Sequence, residues 1–314
     1  SIVCTTFPQY DWVREIIGEE AERFDLTLLL DNGVDLHNYQ PTAEDVAKIS
    51  SSDIFIYVGG ESDGWVKDAL KESANKKQKA MNLMEILGEK VKEEELVEGM
   101  EEEHEDEDAG DIKNKEGQPE SNEETAEEAE EHEEETEYDE HVWLSLKNAQ
   151  ILTAAIADAI EEADEEKADI YTQNAKSYTE ELSALDHQYE EEVKKAKRKN
   201  MLFGDRFPFR YLADDYGLDY YAAFVGCSAE TEASFETITF LAGKVDELGI
   251  PVILTIENSD QKIADTISKN TQNKNQKILV MNSLQSVTSA VIQSGFTYLG
   301  AMKDNLEVLK QALN

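Results

Sequence analysis

Apolar runs of strand length alternate with amphipathic helical stretches in two separate blocks of the chain, and this grammar constrains the fold more than any other feature. In the first block the β-rich start Ile2-Val3-Cys4-Thr5-Thr6 leads into an amphipathic stretch over 10–17, ended by Gly18. A Leu-rich strand over 26–30 follows, then a helix opening near Thr42. The run Ile54-Phe55-Ile56-Tyr57-Val58 before Gly59-Gly60 has the unbroken apolarity of a parallel strand covered on both faces. From Trp65 the pattern is weakly helical and dissolves by Glu89. The second block reads as strand 201–203, helix 209–216, strand 220–225, helix 235–248 and strand 252–256. Helix 260–268, strand 277–281 and helix 305–313 complete it. Between the blocks, Ala, Ile and Leu recur at helical spacing over 147–199, with a break near Asp164. The expectation is therefore an α/β protein with a lobe over 1–167, a linking helix over about 168–197 and a lobe over 198–314.

Charge narrows the function classes. The 314 residues carry a net charge of −41, of which −20 lies within 101–140, where 22 acidic side chains face only Lys113 and Lys115. A nucleic-acid backbone would be repelled by such a surface and cations attracted, so nucleic acid is excluded as a partner. Residues 89–138, with scattered Gly, Pro, Asn and Ser, read as a mobile acidic loop. No run of about 18 apolar residues is present, so no membrane span is expected. The strand-like start fits a mature or trimmed secreted protein, and equally a cytosolic protein lacking its first residues. Cys4 and Cys227 are too few for a disulfide framework and lack CxxC spacing, which disfavours a zinc–thiolate site and favours buried free thiols.

Ligands of open α/β sheets bind beyond the carboxyl ends of strands, so loops after strands are searched first. His37 lies in Asp35-Leu36-His37-Asn38-Tyr39, after strand 26–30. His141 lies in Asp139-Glu140-His141-Val142-Trp143, where the acidic segment ends. A neutral imidazole is a strong donor to zinc and its neighbours, and a nearby carboxylate can hold its second nitrogen. Taken singly, each histidine could equally be a surface or capping residue.

Four segments together carry a resemblance. HNYQPTAED over 37–45 resembles the DPHxYEPTPSD motif of the zinc and manganese solute-binding proteins of bacterial ABC importers, the cluster A-I metal-binding lipoproteins. DEHVWLSLKNA over 139–149 is similar to their DPHVWLDPKNA, FRYLADDYGL over 209–218 to the helix that follows their third ligand, and SAETEAS over 228–234 to their SPEAEPS. These motifs occur in family order, with the charged insertion just ahead of the second His as in the zinc branch. The resemblance implies two βα-sandwich lobes with mostly parallel sheets, joined by one long rigid helix, with the metal between them. It further implies extracytoplasmic capture of a divalent ion, delivery to an ABC permease, a lipid anchor at a removed N-terminus, a monomer, and no enzymatic turnover.

His37 and His141 are implied as ligands. In the second lobe the chain departs from the family, which places His or Glu a few residues before the aromatic that opens helix 209–216. Here the segment reads Gly204-Asp205-Arg206-Phe207-Pro208, and Asp205 is the candidate because Arg206 cannot bind a cation. The fourth family ligand, usually Asp, is replaced by Asn282, a weaker neutral donor. Two imidazoles with one carboxylate favour Zn2+ over the alternative, Mn2+. The acidic segment, with His104 and His132, is either a solvated insertion or a weak collector of cations, and His187 is an exposed residue of the linking helix. Two other readings remain: a metal-dependent hydrolase with a His/His/Asp zinc site, for which no HExxH, GxSxG or P-loop is present, and a surface adhesin with structural metal.

Overall fold

The computed structural model describes residues 1–71, 73–100, 137–228 and 232–314. The first sheet is formed by β1 (Ile2–Cys4), β2 (Leu26–Leu28), β3 (Ile54–Tyr57) and β4 (Lys79–Asn82), in the order β2-β1-β3-β4 with every pairing parallel. Its crossovers are α1 (Phe7–Ile17), α2 (Ala43–Ser51) and α3 (Val66–Lys71), and α4 (Leu83–Leu87) follows β4. Helix α1 starts three residues before the periodic stretch because the Gln9 side-chain oxygen turns back to accept from the Thr5 and Thr6 backbone N–H groups. Strand β4 is absent from the sequence reading. It lies at the sheet edge, where only Met81 of Lys79-Ala80-Met81-Asn82 is buried, so it shows neither apolar continuity nor alternation.

Helices α5 (Leu146–Ala163) and α6 (Ala168–Lys195) follow, separated at Asp164, whose carboxylate accepts from Arg23 at 2.7 and 2.8 Å and from Tyr171 Oη at 2.7 Å. The 28-residue α6 buries Tyr171, Ala175, Tyr178, Leu182, Leu185, Tyr189 and Val193, a three-and-four spacing that lays one continuous stripe along both lobes. The second sheet contains β5 (Asn200–Phe207), β6 (Asp219–Val225), β7 (Val252–Ile256) and β8 (Lys277–Met281), again all parallel, in the order β6-β5-β7-β8. It is wrapped by α7 (Arg210–Tyr216), α8 (Phe235–Leu248) and α9 (Lys262–Asn270), followed by α10 (Ser289–Gln293) and α11 (Tyr298–Leu313). Helix α11 begins seven residues before the expected 305, capped by the Thr297 side chain, because Gly300 hid its first turn from the periodicity.

Lobe-to-lobe contacts are polar as well as apolar. Asp11 of α1 accepts from the Tyr298 N–H at 2.7 Å, and Tyr298 Oη donates to the Trp143 carbonyl at 2.6 Å. Trp143 Nε1 in turn donates to the Ser283 carbonyl at 2.8 Å. Of the expected mobile loop over 89–138, the described ends are tied down: Glu94 N–H donates to Glu137 O, Asp139 N–H to Lys92 O, and Glu93 bridges Tyr138 in antiparallel fashion. Residues 101–136, with His104 and His132, lie outside the described residues. Among the described residues no helix is long and apolar enough to cross a membrane.

Candidate metal centre

His37 is carried on a single helical turn, Leu36–Asn38, fixed at its start by Asp35, whose Oδ1 accepts from the His37 N–H at 3.1 Å. His141 precedes a similar turn, Val142–Leu144, and Asp139 Oδ1 accepts from both its backbone N–H (2.8 Å) and its Nδ1 (2.9 Å). The His37 Nδ1 contacts Ser62 Oγ at 2.8 Å and stands 3.6 Å from Glu140 Oε2. With both Nδ1 atoms engaged, the two Nε2 atoms meet at 3.1 Å.

Burial decides the charge on this pair. His141 is fully buried and His37 has 7% of its side chain exposed. Loss of solvent, followed by repulsion from His141, pushes His37 down to about 3, so at neutral pH it is an uncharged donor. Burial also works against a charged His141, but Asp139, Glu140 and Asp35 together raise His141 above its ordinary value. Two imidazoles aimed at one point, each oriented through its other nitrogen, fit a divalent cation of imidazole-binding type. Glu140 adds a negative charge beside them: its Oε1 accepts from the Ser62 N–H at 2.7 Å, while the buried Oε2 has no hydrogen-bond partner.

The second-lobe candidates are placed differently. Asp205 Oδ1 accepts from the Arg206 N–H at 2.9 Å and Oδ2 from the Ile256 N–H at 3.4 Å. It lines a 420 Å³ cavity with Asp35, Arg206 and Glu257, and it does not join the two histidines. Its neighbour Arg206 crosses to the first lobe, where its guanidinium donates to Asp35 Oδ2 at 2.7 Å. That cation, outweighing burial, holds Asp35 below its ordinary value. Asn282 closes the turn after β8: its Oδ1 accepts from the Leu284 N–H at 2.8 Å, and Asn305 holds its backbone on both sides. Glu257, unnoticed in the sequence, organises the same loop by accepting from Ser283 and Gln285. His187 is exposed on α6, bonded to the Ser183 carbonyl.

The residue that does join the histidines is Cys227. His37, His141 and Cys227 each offer a ligand atom, all within 4.8 Å of one another. Neither cysteine forms a disulfide, and while Cys4 is buried as expected, Cys227 is only partly so. Cys227 lies just past β6, in the same kind of position as His37 past β2, and the rule that selected His37 selects it equally. The missing CxxC spacing argues against a thiolate pair and does not bear on one thiol among imidazoles.

A family model for the periplasmic zinc-uptake complex component A, ZnuA, matches residues 2–312. The chain is 33% identical over 311 residues to the zinc-binding lipoprotein AdcA of Streptococcus pneumoniae serotype 4, covering 99% of this chain and 55% of that protein. It therefore spans about half the length of the AdcA relatives it matches. Identity to the high-affinity zinc uptake system protein ZnuA of Bacillus subtilis is 31% over 312 residues, covering 99% of this chain and 87% of that one. The crystal structure of the Zn(II)-bound ZnuA-like domain of S. pneumoniae AdcA superposes with a TM-score of 0.71 at 29% identity, covering 99% and 98% of the two chains. Matched from its second residue almost to its last, with the two-lobed fold in common, the chain belongs to the zinc-uptake complex component A family.

Proposed function

We propose that this chain captures a divalent metal ion, zinc, outside the cytoplasmic membrane and delivers it to the permease of an ABC importer, without catalysing a reaction. The observation that carries this reading is the 3.1 Å approach of two Nε2 atoms whose imidazoles are each oriented through Nδ1. The ion would sit between the lobe of residues 1–167 and that of 198–314, which the α6 stripe holds at a fixed spacing. His37 and His141 are the first-lobe donors. The zinc-binding names of the AdcA and ZnuA relatives support the cargo, and "lipoprotein" in one of them supports an anchor to the membrane surface.

Calorimetric titration of the purified chain should show one tight zinc site, with manganese bound at least about a hundredfold more weakly, close to 3 kcal/mol. Manganese favours a larger set of oxygen donors, and at a nitrogen-rich site it stands below zinc in the affinity order. Equal affinities for the two ions would sink the zinc assignment, and the absence of any tight site would sink metal capture itself.

A further inference from the structure

We propose that the second lobe grips the ion through Cys227, making the centre one of two imidazoles and one thiolate that selects thiophilic divalent cations. This rests on the reading of the chain as a metal-capture protein and names its second-lobe ligand and its selectivity. The ordinary second-lobe donors are committed elsewhere: Asp205 to backbone N–H groups, Asn282 Oδ1 to Leu284, Glu257 to the loop of Ser283 and Gln285. Arg206 brings a cation and spends it on Asp35.

Several features aim Cys227 at the histidines. Its backbone N–H donates to Glu94 Oε1 at 2.9 Å, which ties the loop after β6 to the described end of the acidic segment. Gly226 lets that loop close on His141, since a Cβ there would stand 3.0 Å from His141 Cε1 and 2.9 Å from the Phe207 carbonyl. Cys227, His37, Ser62, Glu94 and Glu140 line one cavity of 260 Å³. Zinc bonds of about 2.0–2.1 Å to imidazole and 2.3 Å to thiolate put tetrahedral donors about 3.4–3.6 Å apart. The observed nitrogen pair at 3.1 Å and the 4.8 Å limit for the whole group bracket that span. Binding forms the metal–sulfur bond and releases the Sγ proton to solvent.

The charge balance agrees. Arg206 brings a positive charge to the site through its 2.7 Å ion pair with Asp35, where an ordinary second lobe would bring a donor. A thiolate supplies the anionic donor that replaces the carboxylate or imidazole of an ordinary second lobe. Soft sulfur favours zinc and cadmium and penalises manganese, which takes carboxylate, carbonyl and water.

The test uses the full chain loaded with Co2+, which reports thiolate ligation by a sulfur-to-cobalt charge-transfer band in the near ultraviolet. The parent and Cys4→Ala should show the band, and Cys227→Ser should lose it. Cys227→Ser should also weaken zinc binding by at least about a hundredfold, the upper end of what losing a ligand-orienting partner costs, and should narrow the cadmium-over-manganese preference. A second measurement needs no variant: zinc should block iodoacetamide labelling of Cys227 in the native parent, read by peptide mass spectrometry. A parent complex without the band, or equal labelling with and without zinc, overturns the thiolate ligand. If His37→Ala still abolishes binding in that case, metal capture stands and only this inference falls; if His37→Ala and His141→Ala also bind like the parent, both fall.

Discussion

The two halves of the candidate centre are built on opposite plans. In the first lobe each histidine has a dedicated partner, Asp139 for His141 and Ser62 for His37, both positioned by short turns whose starts are fixed by carboxylates. In the second lobe the strand end that would present a ligand presents Arg206 instead, paired with Asp35, and the donor that reaches the histidines comes from the neighbouring loop at Cys227. A rigid half and a rewired half share a cleft because the long helix and the bonds of Trp143 to Tyr298 and to Ser283 join the two lobes. The position of a site is therefore held by the fold, while the donor chemistry can migrate from one strand end to the next.

The sharpest way to break this contrast is to remove the rigid half. A ligand that binds only the native state at 1,000 times its Kd stabilises by about 4.1 kcal/mol. At such a zinc concentration the parent should show that gain by thermal or denaturant unfolding, and His141→Ala and His37→Ala should lose most of it. His141→Ala removes a fully buried ring that packs edge-on against Trp143 and takes the imidazole from the buried Asp139 carboxylate, so its metal-free stability should fall further than that of His37→Ala, and the zinc shift is read against each variant's own metal-free baseline. An undiminished zinc shift in both variants would dissolve the contrast entirely.

Next in size is the Arg206–Asp35 pair, with 15% and 13% of the two side chains exposed. Arg206→Gln leaves a nearly buried carboxylate without its cation, which should cost about 3 kcal/mol of metal-free stability. The same change removes a positive charge from the centre, so zinc affinity should rise while stability falls. Opposite signs in calorimetry and in denaturant unfolding are the signature. If both fall together, Arg206 holds the cleft in shape and is no mere electrostatic neighbour.

The contrast also explains what could be read from sequence. The α6 stripe and strands β1, β3, β5 and β7 were legible because burial imposes a period or an unbroken apolar run. Strand β4 was not, because an edge strand needs only one inward residue, Met81. The meeting of His37 and His141 at 3.1 Å was legible because each sits in a motif and His37 follows a strand, at the end of the sheet where such loops converge. Asp205 was chosen for its carboxylate alone, and sequence does not say that this carboxylate faces the Ile256 and Arg206 N–H groups.

Asp11 separates lobe docking from metal chemistry. Burial, opposed by the Tyr298 N–H and Arg14, raises its pKa from 3.8 to about 6. The folded protein thus keeps a proton through a window in which the unfolded chain has released it. Stability contributed here is complete below pH 3.8 and is lost as pH rises through about 6, a decline of about 3 kcal/mol. Asp11→Asn, which keeps an acceptor for Tyr298 and cannot ionise, should flatten that slope in urea titrations between about pH 3 and about pH 7, on either side of the window. Zinc affinity should be untouched, and a parallel pH slope in parent and variant would show that Asp11 ionises freely.

The smallest expected effect tests the rewired half directly. Asn282→Asp places a carboxylate where a family ligand ordinarily stands, and a fourth donor there would strengthen manganese binding by adding a hard anionic oxygen. In this chain, however, Oδ1 of Asn282 closes the turn onto the Leu284 N–H, and Asn305 clamps the backbone from both sides. An aspartate can accept the same bond at the same distance, so nothing draws it toward the histidines. The variant should bind zinc and manganese within about twofold of the parent, under 0.5 kcal/mol, and Asp205→Asn should do the same because its oxygens also face backbone. A manganese affinity raised tenfold by Asn282→Asp would mean that the turn opens to deliver the side chain, and that the second lobe keeps its ordinary ligand position alongside Cys227.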